Sequence, residues 1–476
     1  MTTHAQPADA ATPDDPAVAV RYRPGSRAMR RYTLLYALST LGIALLFGSV
    51  SGVLLPLHVQ ELEFPQIFTG ADAHLSLRGL EDLKTQVDAG KLAPTADQHR
   101  LLDLLDTFHS SRATSLSLVT SVGVFITMLI QPVVGMLSDR TRSKWGRRAP
   151  WIAGGAVAGS ALVVLLPAVP NIAFLVIIWS LVQLAVNTAQ GPLGATVADR
   201  IPKGHLGGAS TITGLVGYFG AIVGSVVAGI LFAVMGLATY FPLAVILTLT
   251  ALSFMLLARD RSSEDLVVER PRLRGFFASY VLALRDRDYR WAWIAKVLLF
   301  IGYGISTVYA VYMLQSYVTP GLSAEKAART APLLQLAGAP GALIGMIVSG
   351  RWSDRIGRRK PFVVAASIIL AVSFLIPFAS PTLPGMFAQA VVGGFGFGVF
   401  VVVDQALFID VLPDPDAAGR DLGMATLGGN FGQALGPVVA GGIVAMAGGA
   451  YRPVWPVAFV LVLAAAFAVL PIRRVR

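Results

Sequence analysis

Gly217-Tyr-Phe-Gly-Ala-Ile-Val-Gly-Ser-Val-Val-Ala-Gly-Ile-Leu231 returns farther along the chain as Gly429-Asn-Phe-Gly-Gln-Ala-Leu-Gly-Pro-Val-Val-Ala-Gly-Gly-Ile443, with eight of fifteen positions identical. Neither copy carries a charge, and each lies in an apolar run of the length that crosses a bilayer, about 20 residues. Self-similarity at so long a separation points to duplicated halves. Flanking marks repeat with it. Gly135-Met-Leu-Ser-Asp139-Arg140 is echoed by Gly350-Arg-Trp-Ser-Asp354-Arg355, and Asp199 by Asp410. Gly146-Arg147-Arg148 is echoed by Gly357-Arg358-Arg359, the first copy standing four residues farther from its Asp-Arg pair.

Working outward, twelve apolar runs cover the chain: 33–57, 113–137, 150–169, 171–198, 210–235, 239–258, 291–317, 332–349, 361–380, 386–411, 422–447 and 454–472. The composition agrees, with 55% hydrophobic residues, 14% charged and no cysteine. Soluble domains carry roughly 25% charged residues. Disorder and a disulfide-stapled secreted domain are excluded, and the net charge of +11 is spread between apolar runs rather than over a basic face for nucleic acid. Membrane strands would need alternating segments of about ten residues. The expected fold is therefore all-α: an integral membrane protein of twelve helices in two pseudo-symmetric halves. Parallel repeats with a site at their interface are the plan of a secondary transporter.

Orientation follows from basic residues, which concentrate in cytoplasmic connections. Of the 38 Lys and Arg residues, 29 fall in the two terminal segments and the even-numbered connections. Both termini are thus expected on the cytoplasmic side of the plasma membrane, and a first run this long is no cleaved signal. The domain reading is a disordered basic leader over 1–31, a six-helix half over 32–258, a cytoplasmic linker over 259–290 and a second half over 291–476. The linker holds a short amphipathic piece around Phe276, Phe277 and Tyr280. An outer insertion spans 61–112. Within it Thr95-Ala-Asp-Gln98 reads as a capping box opening a helix with Leu101, Leu104, Leu105 and Phe108 on one face. It is read either as a lid over the outer mouth or as an elaboration packed on the helix ends.

Gly350 to Lys360, Gly-x-x-x-Asp-Arg-x-Gly-Arg-Arg-Lys, resembles the signature loop of the major facilitator superfamily, and the resemblance extends over all twelve runs. Gln131-Pro-Val-Val-Gly-Met-Leu-Ser-Asp-Arg-Thr-Arg-Ser-Lys-Trp-Gly-Arg-Arg-Ala-Pro150 and Asn187-Thr-Ala-Gln-Gly-Pro-Leu-Gly-Ala-Thr-Val-Ala-Asp199 are similar to the sucrose/proton symporters and the glycoside-pentoside-hexuronide cation symporters. The resemblance implies a carrier whose first, fourth, seventh and tenth helices line the cavity. In the sucrose symporters an acidic residue that takes the proton lies seven positions before the Gln of the fourth-helix motif, and a basic residue tied to sugar binding four after it. Here those positions hold Gln183 and Gly194, so the family's two charges have no counterparts.

Polar stripes mark candidate ligand contacts. Gln183, Asn187, Gln190 and Gly194 share one face of the fourth run, and Tyr36, Thr40, Phe47, Ser51 and His58 fall within about 60° in the first. Tyr303 with Thr307, and Thr426 with Asn430 and Gln433, continue the pattern. Such amides either meet hydroxyls of a solute or bond helix to helix. Asp404 lies inside the tenth run, where a carboxylate is functional by default. Phe397, Phe400 and Phe408 share its face, pairing rings for stacking a sugar with a group that can take the coupling proton. Its alternative is a salt bridge to Lys296, the one basic residue inside a run.

The repeated loops supply the expected gate: Asp139, Arg140, Gly146, Arg147, Arg148 and Asp199 in one half, and Gly350, Asp354, Arg355, Gly357, Arg358, Arg359 and Asp410 in the other. Their carboxylates are expected to meet helix N-termini, and their arginines to hold lipid phosphate or close a charge network. The six histidines show no metal spacing, and no nucleophile elbow or phosphate loop occurs. No enzyme, cofactor or metal is expected. The reading is a monomeric symporter for a neutral sugar or glycoside, coupled to a proton or sodium ion. Its rivals are a proton-coupled drug or metabolite exporter and a non-transporting receptor on the same scaffold.

Overall fold

The computed structural model describes residues 25–201, 206–265, 282–413 and 418–475, without the side chains of 206–213, 354 and 418–420. Most of the leader, His205, and the piece around Phe276, Phe277 and Tyr280 lie outside the described residues. Within them every regular element is helical, as lipid demands, since a helix satisfies its own backbone groups. The first half holds α1 (Arg27–Ser49), α2 (Leu55–Ile67), α3 (Leu77–Asp88), α4 (Ala96–Asp139), α5 (Ala149–Leu165), α6 (Ile172–Arg200), α7 (Leu206–Met235) and α8 (Tyr240–Leu257). The second holds α9 (Arg287–Val308), α10 (Ala310–Ser316), α11 (Ala324–Ile356), α12 (Lys360–Ala379), α13 (Leu383–Asp410), α14 (Ala418–Met446) and α15 (Val454–Ala468).

The twelve apolar runs all fall on helical elements, the first shared by α1 and α2 and the seventh by α9 and α10, and nine stretches among the described residues are long and apolar enough to cross a membrane. Packing repeats between the halves. Helix α1 lies against α7 and α8, α5 against α6 and α8, and α4 against α6; correspondingly α9 lies against α14 and α15, α12 against α13 and α15, and α11 against α13. The halves meet through α4 with α14 and α7 with α11, which are equivalent pairs under the repeat.

The duplicated glycines of the opening stretch explain those contacts. A Cβ on Gly229 would lie 2.3 Å from the Ala328 carbonyl oxygen, and one on its counterpart Gly441 would lie 2.2 Å from Ser117 Oγ. Only glycine lets the two seams close this tightly.

Three boundaries differ from the sequence reading. Helix α1 begins at Arg27, capped by the Ser26 side chain, so Arg27, Arg30 and Arg31 belong to the helix rather than to a leader. A π-turn at Val50–Leu54 carries α1 into α2, which runs on to Ile67. The helix opened by the Thr95 box, with its reciprocal Gln98 bonds, continues unbroken into the second apolar run as one helix of 44 residues. Its outer end packs Leu105 and Phe108 with Phe68 and Leu80 in a small separate core. The insertion therefore sits on the helix ends as a packed element.

Candidate functional site

The start of α1, the residues that follow α15 and both repeated loops lie on one face of the bundle, the terminal face; the insertion lies on the opposite, distal face. Distally the halves are joined. Tyr309 donates to the Ala113 carbonyl at 2.7 Å and stands 2.6 Å from Ser117 Oγ, which donates to the Pro437 carbonyl. Tyr312 donates to the Pro56 carbonyl at 2.7 Å. Tyr309 sits at the break between α9 and α10 and Tyr312 in the first turn beyond it, and half-helices of this kind are where carriers build sites and gates.

Beneath that closure lie two cavities. One, of about 580 Å³, is lined by Tyr36, Thr40, Phe47, Gln131, Gln190 and Gly194, with Gly217 and Ala221 of α7. Its volume is within the range of small-molecule sites. The other, of about 270 Å³, is lined by Tyr218 and Ile222 from the first half and by Tyr303, Ser306, Thr307, Gln335, Gln389 and Phe397 from the second. Tyr303 and Phe397 stack there with centroids 4.2 Å apart and an 11° angle. Rings and amides together offer a flat apolar surface and fixed hydrogen-bond partners, the combination a pyranose needs.

The structure therefore brings Tyr36, Thr40, Phe47 and Gln190 to one cavity and Tyr303 and Thr307 to the other. It places Gln183, Asn187, Phe400, Asn430 and Gln433 elsewhere. Gln183 is buried against α4, where a Cβ on Gly123 would touch its amide nitrogen at 2.5 Å. Asn187 donates to the Gln183 carbonyl at 2.8 Å. Phe400 is buried against Phe300, with centroids 6.3 Å apart. The fourth-run stripe is thus split: Gln183 packs against α4, Asn187 bonds back within α6, and Gln190 and Gly194 face the cavity. His58 leaves the first-run stripe because the π-turn shifts the register; it is buried and pairs with Tyr240 at 3.4 Å. Asn430 and Gln433 line neither cavity; Gln433 is exposed, and they match Tyr218 and Ala221, which do. Gln131, Tyr218, Gln335 and Gln389 were missed. Their signal was an isolated polar group in an apolar run, outside any stripe.

Asp404 forms an ion pair with Lys296 at 2.9 Å, and Lys296 Nζ also lies 4.9 Å from the Phe408 ring centroid. The pair joins α13 to α9 and lines neither cavity.

On the terminal face one constellation occurs twice. Arg148 bonds Ser138 Oγ at 2.8 Å and Asp199 at 3.1 Å; Arg359 bonds Ser353 Oγ at 2.7 Å and Asp410 at 3.5 Å. Arg147 adds a bond to Asp199 at 2.8 Å. Asp139 takes Arg148 at 2.6 Å rather than a helix N-terminus, because a guanidinium offers it a full charge. The Asp354 side chain lies outside the described residues. Arg140 donates to the Met136 carbonyl, and Arg355 and Arg358 are exposed. A Cβ on Gly350 would meet Val402 at 3.6 Å, an ordinary contact. Gly146 and Gly357 have φ of +86° and +65°, which explains glycine at both positions. The four extra residues in the first loop hold the segment after α8: Ser143 accepts from the Ser263 backbone at 3.0 Å, and Thr141 accepts from its hydroxyl at 2.8 Å.

A family model described as MFS/sugar transport protein matches residues 108–473. The chain belongs to that family. MFS/sugar transport proteins are carriers rather than enzymes, and the bundle is accordingly a multi-pass membrane transporter fold. Among relatives, an uncharacterized protein of Archaeoglobus fulgidus is 36% identical over 123 residues, 26% of this chain and 51% of that one. An uncharacterized symporter of Synechocystis is 49% identical over 39 residues, 8% of this chain and 7% of the symporter. The sucrose transport protein SUC4 of Arabidopsis thaliana is 35% identical over 100 residues, 17% of this chain and 19% of that protein. The matches thus span about half of the first relative and small parts of the others. The solved nucleoside transporter NupG superposes with a TM-score of 0.63 at 14% identity, covering 94% of this chain and 99% of NupG. A bacterial homolog of the human lysosomal transporter Spinster, inward-facing and occupied, gives 0.59 at 16% identity, covering 94% and 96%. At such identities these likenesses bear on the fold alone.

Proposed function

We propose that this protein is a secondary carrier that moves a neutral sugar or glycoside by alternating access, in symport with a cation, most simply the proton. One observation carries the reading: a 580 Å³ cavity lined by Tyr36, Thr40, Phe47, Gln131 and Gln190 lies beneath a closed distal face. Among the described residues its lining offers hydroxyl and amide partners but no ionised group, as a neutral polyhydroxylated solute requires. The basic residues of the terminal face favour a cytoplasmic position for it, and on that reading a joined distal face corresponds to an inward-facing state. The Arg148 and Arg359 constellations each fasten one half in this state, and their release or exchange is the gating step of the loops.

Coupling is assigned to the Asp404–Lys296 pair. A proton on Asp404 removes the attraction that holds α13 to α9 and frees the ammonium, so protonation and helix movement become one event. Gln183 carries no proton, and Gly194 leaves open space where the sucrose symporters have a basic group.

Uptake of labelled sucrose, maltose and uridine into proteoliposomes, with and without an inward proton gradient, tests the reading; uridine is included because the Tyr303–Phe397 stack would also hold a base. Gradient-driven accumulation of a sugar is expected, abolished in Asp404→Asn. Accumulation of uridine alone would reassign the solute, and sugar uptake indifferent to proton and sodium gradients would reject symport.

A further inference from the structure

The insertion has a buried polar network at its root that the solute site does not use. Arg112, fully buried more than four turns into α4, donates from Nε to the Tyr451 hydroxyl at 3.0 Å and from Nη2 to Ser316 Oγ. Its guanidinium also lies 4.4 Å from the Tyr312 ring centroid and 5.6 Å from that of Tyr451. Glu81, on α3, accepts from the Ser316 hydroxyl and pairs with His109 at 2.8 Å. Burial opposes ionisation of Glu81; the His109 hydrogen bond, the His109 and Arg112 charges and the Ser316 hydroxyl outweigh it and hold the carboxyl below its usual range. The α14–α15 loop closes the arrangement at Gly449, with φ of +89°, where a Cβ would lie 2.4 Å from the Asp106 carbonyl oxygen.

Charge is divided unequally across this seam. Glu81 and Arg112 belong to the first half, with His109 bonded to the carboxylate; Ser316, Tyr312 and Tyr451 on the second are neutral. When the halves part, the first half keeps its charges beside one another and the second loses only hydroxyl contacts, which water replaces. An ion pair split between the halves would instead strand a charge on each. The arrangement suits a bond that must form and break in every cycle.

We propose that the insertion is the lock of the distal gate: α3 and the outer part of α4, through Glu81 and Arg112, hold Ser316 and Tyr451 of the opposite half and must release them before the distal face opens. The proposal rests on the reading that the halves rock. It does not depend on which solute is carried.

The natural chain has no cysteine, so a single Ser117→Cys, at the seam beneath the lock, reports opening. Full-length protein in liposomes is treated from the distal side with a membrane-impermeant maleimide. Labelling is expected to be slow with the lock intact and at least about tenfold faster with Glu81→Ala or Ser316→Ala. Arg100→Ala breaks the Arg100–Asp72 bond at 2.7 Å, which stays within the insertion, and is expected to leave the rate unchanged. Labelling that stays slow in both lock variants would overturn the proposal. Equal acceleration by Arg100→Ala would also overturn it, by showing that loss of the insertion's own fold suffices. The assay needs no substrate, so a wrong solute in the uptake experiment leaves this result standing.

Discussion

Asp404 and Lys296 separate two kinds of importance. Removing one member of a buried pair leaves the other charge unsolvated, at a cost of about 3–5 kcal/mol, whereas replacing both by apolar residues is often tolerated. Asp404→Asn is therefore expected to lower the unfolding temperature as well as uptake, and Asp404→Leu with Lys296→Met to restore the temperature but not gradient-driven accumulation. Thermal unfolding and uptake on the same preparations decide it; recovery of accumulation in the double variant would make the pair purely structural. The sequence had placed both residues inside runs and named the pair as an alternative. It did not separate a residue facing a cavity from one facing a neighbour: Gln183 and Gln190 are alike in type and periodicity, yet only Gln190 reaches the cavity. What divides them is the approach of α4 at Gly123, a tertiary fact that no local spacing contains.

Elements were legible where their signals are local. The Thr95 capping box, the apolar runs and the glycines of the duplicated stretch all rest on side chains a few residues apart, and all reappear in the helices. The continuity of α4 was hidden, because its outer third is amphipathic and its inner part uniformly apolar, so one helix reads as two. The π-turn at Val50–Leu54 was hidden as well, since nothing in Val-Ser-Gly-Val-Leu distinguishes it from an α-helical turn. If α4 is a single helix with a frayable outer end, Thr95→Ala removes a cap worth about 1 kcal/mol. Amide exchange is then expected to quicken roughly fivefold over the first two turns after Thr95 and to stay unchanged below Arg112. Faster exchange reaching the Ser117 region would contradict a cap effect confined to the outer end.

At the scale of the whole molecule the repeat supplies what the proposed alternating access needs. The seams α4–α14 and α7–α11 are equivalent, and each half keeps its own ion network on the terminal face, so each can move as a unit. The distal face breaks the symmetry: the insertion belongs to the first half, and from it Arg112 and Glu81 reach across to Tyr451 and Ser316. Duplication was readable from the sequence because it is written as identity between distant stretches. Which face stands closed was not readable, since it depends on contacts between halves that have no sequence period.

The most direct test of alternating access is a pair of distances in one protein. With spin labels at Asp103→Cys and Glu325→Cys on the distal face, and in a second sample at Lys144→Cys and Arg290→Cys on the terminal face, pulsed dipolar spectroscopy reads both openings. The account predicts a short distal and a long terminal distance at rest, exchanging for the reverse as sugar and pH shift the population. A single distance on each face under every condition, or two distances that lengthen together, would contradict it.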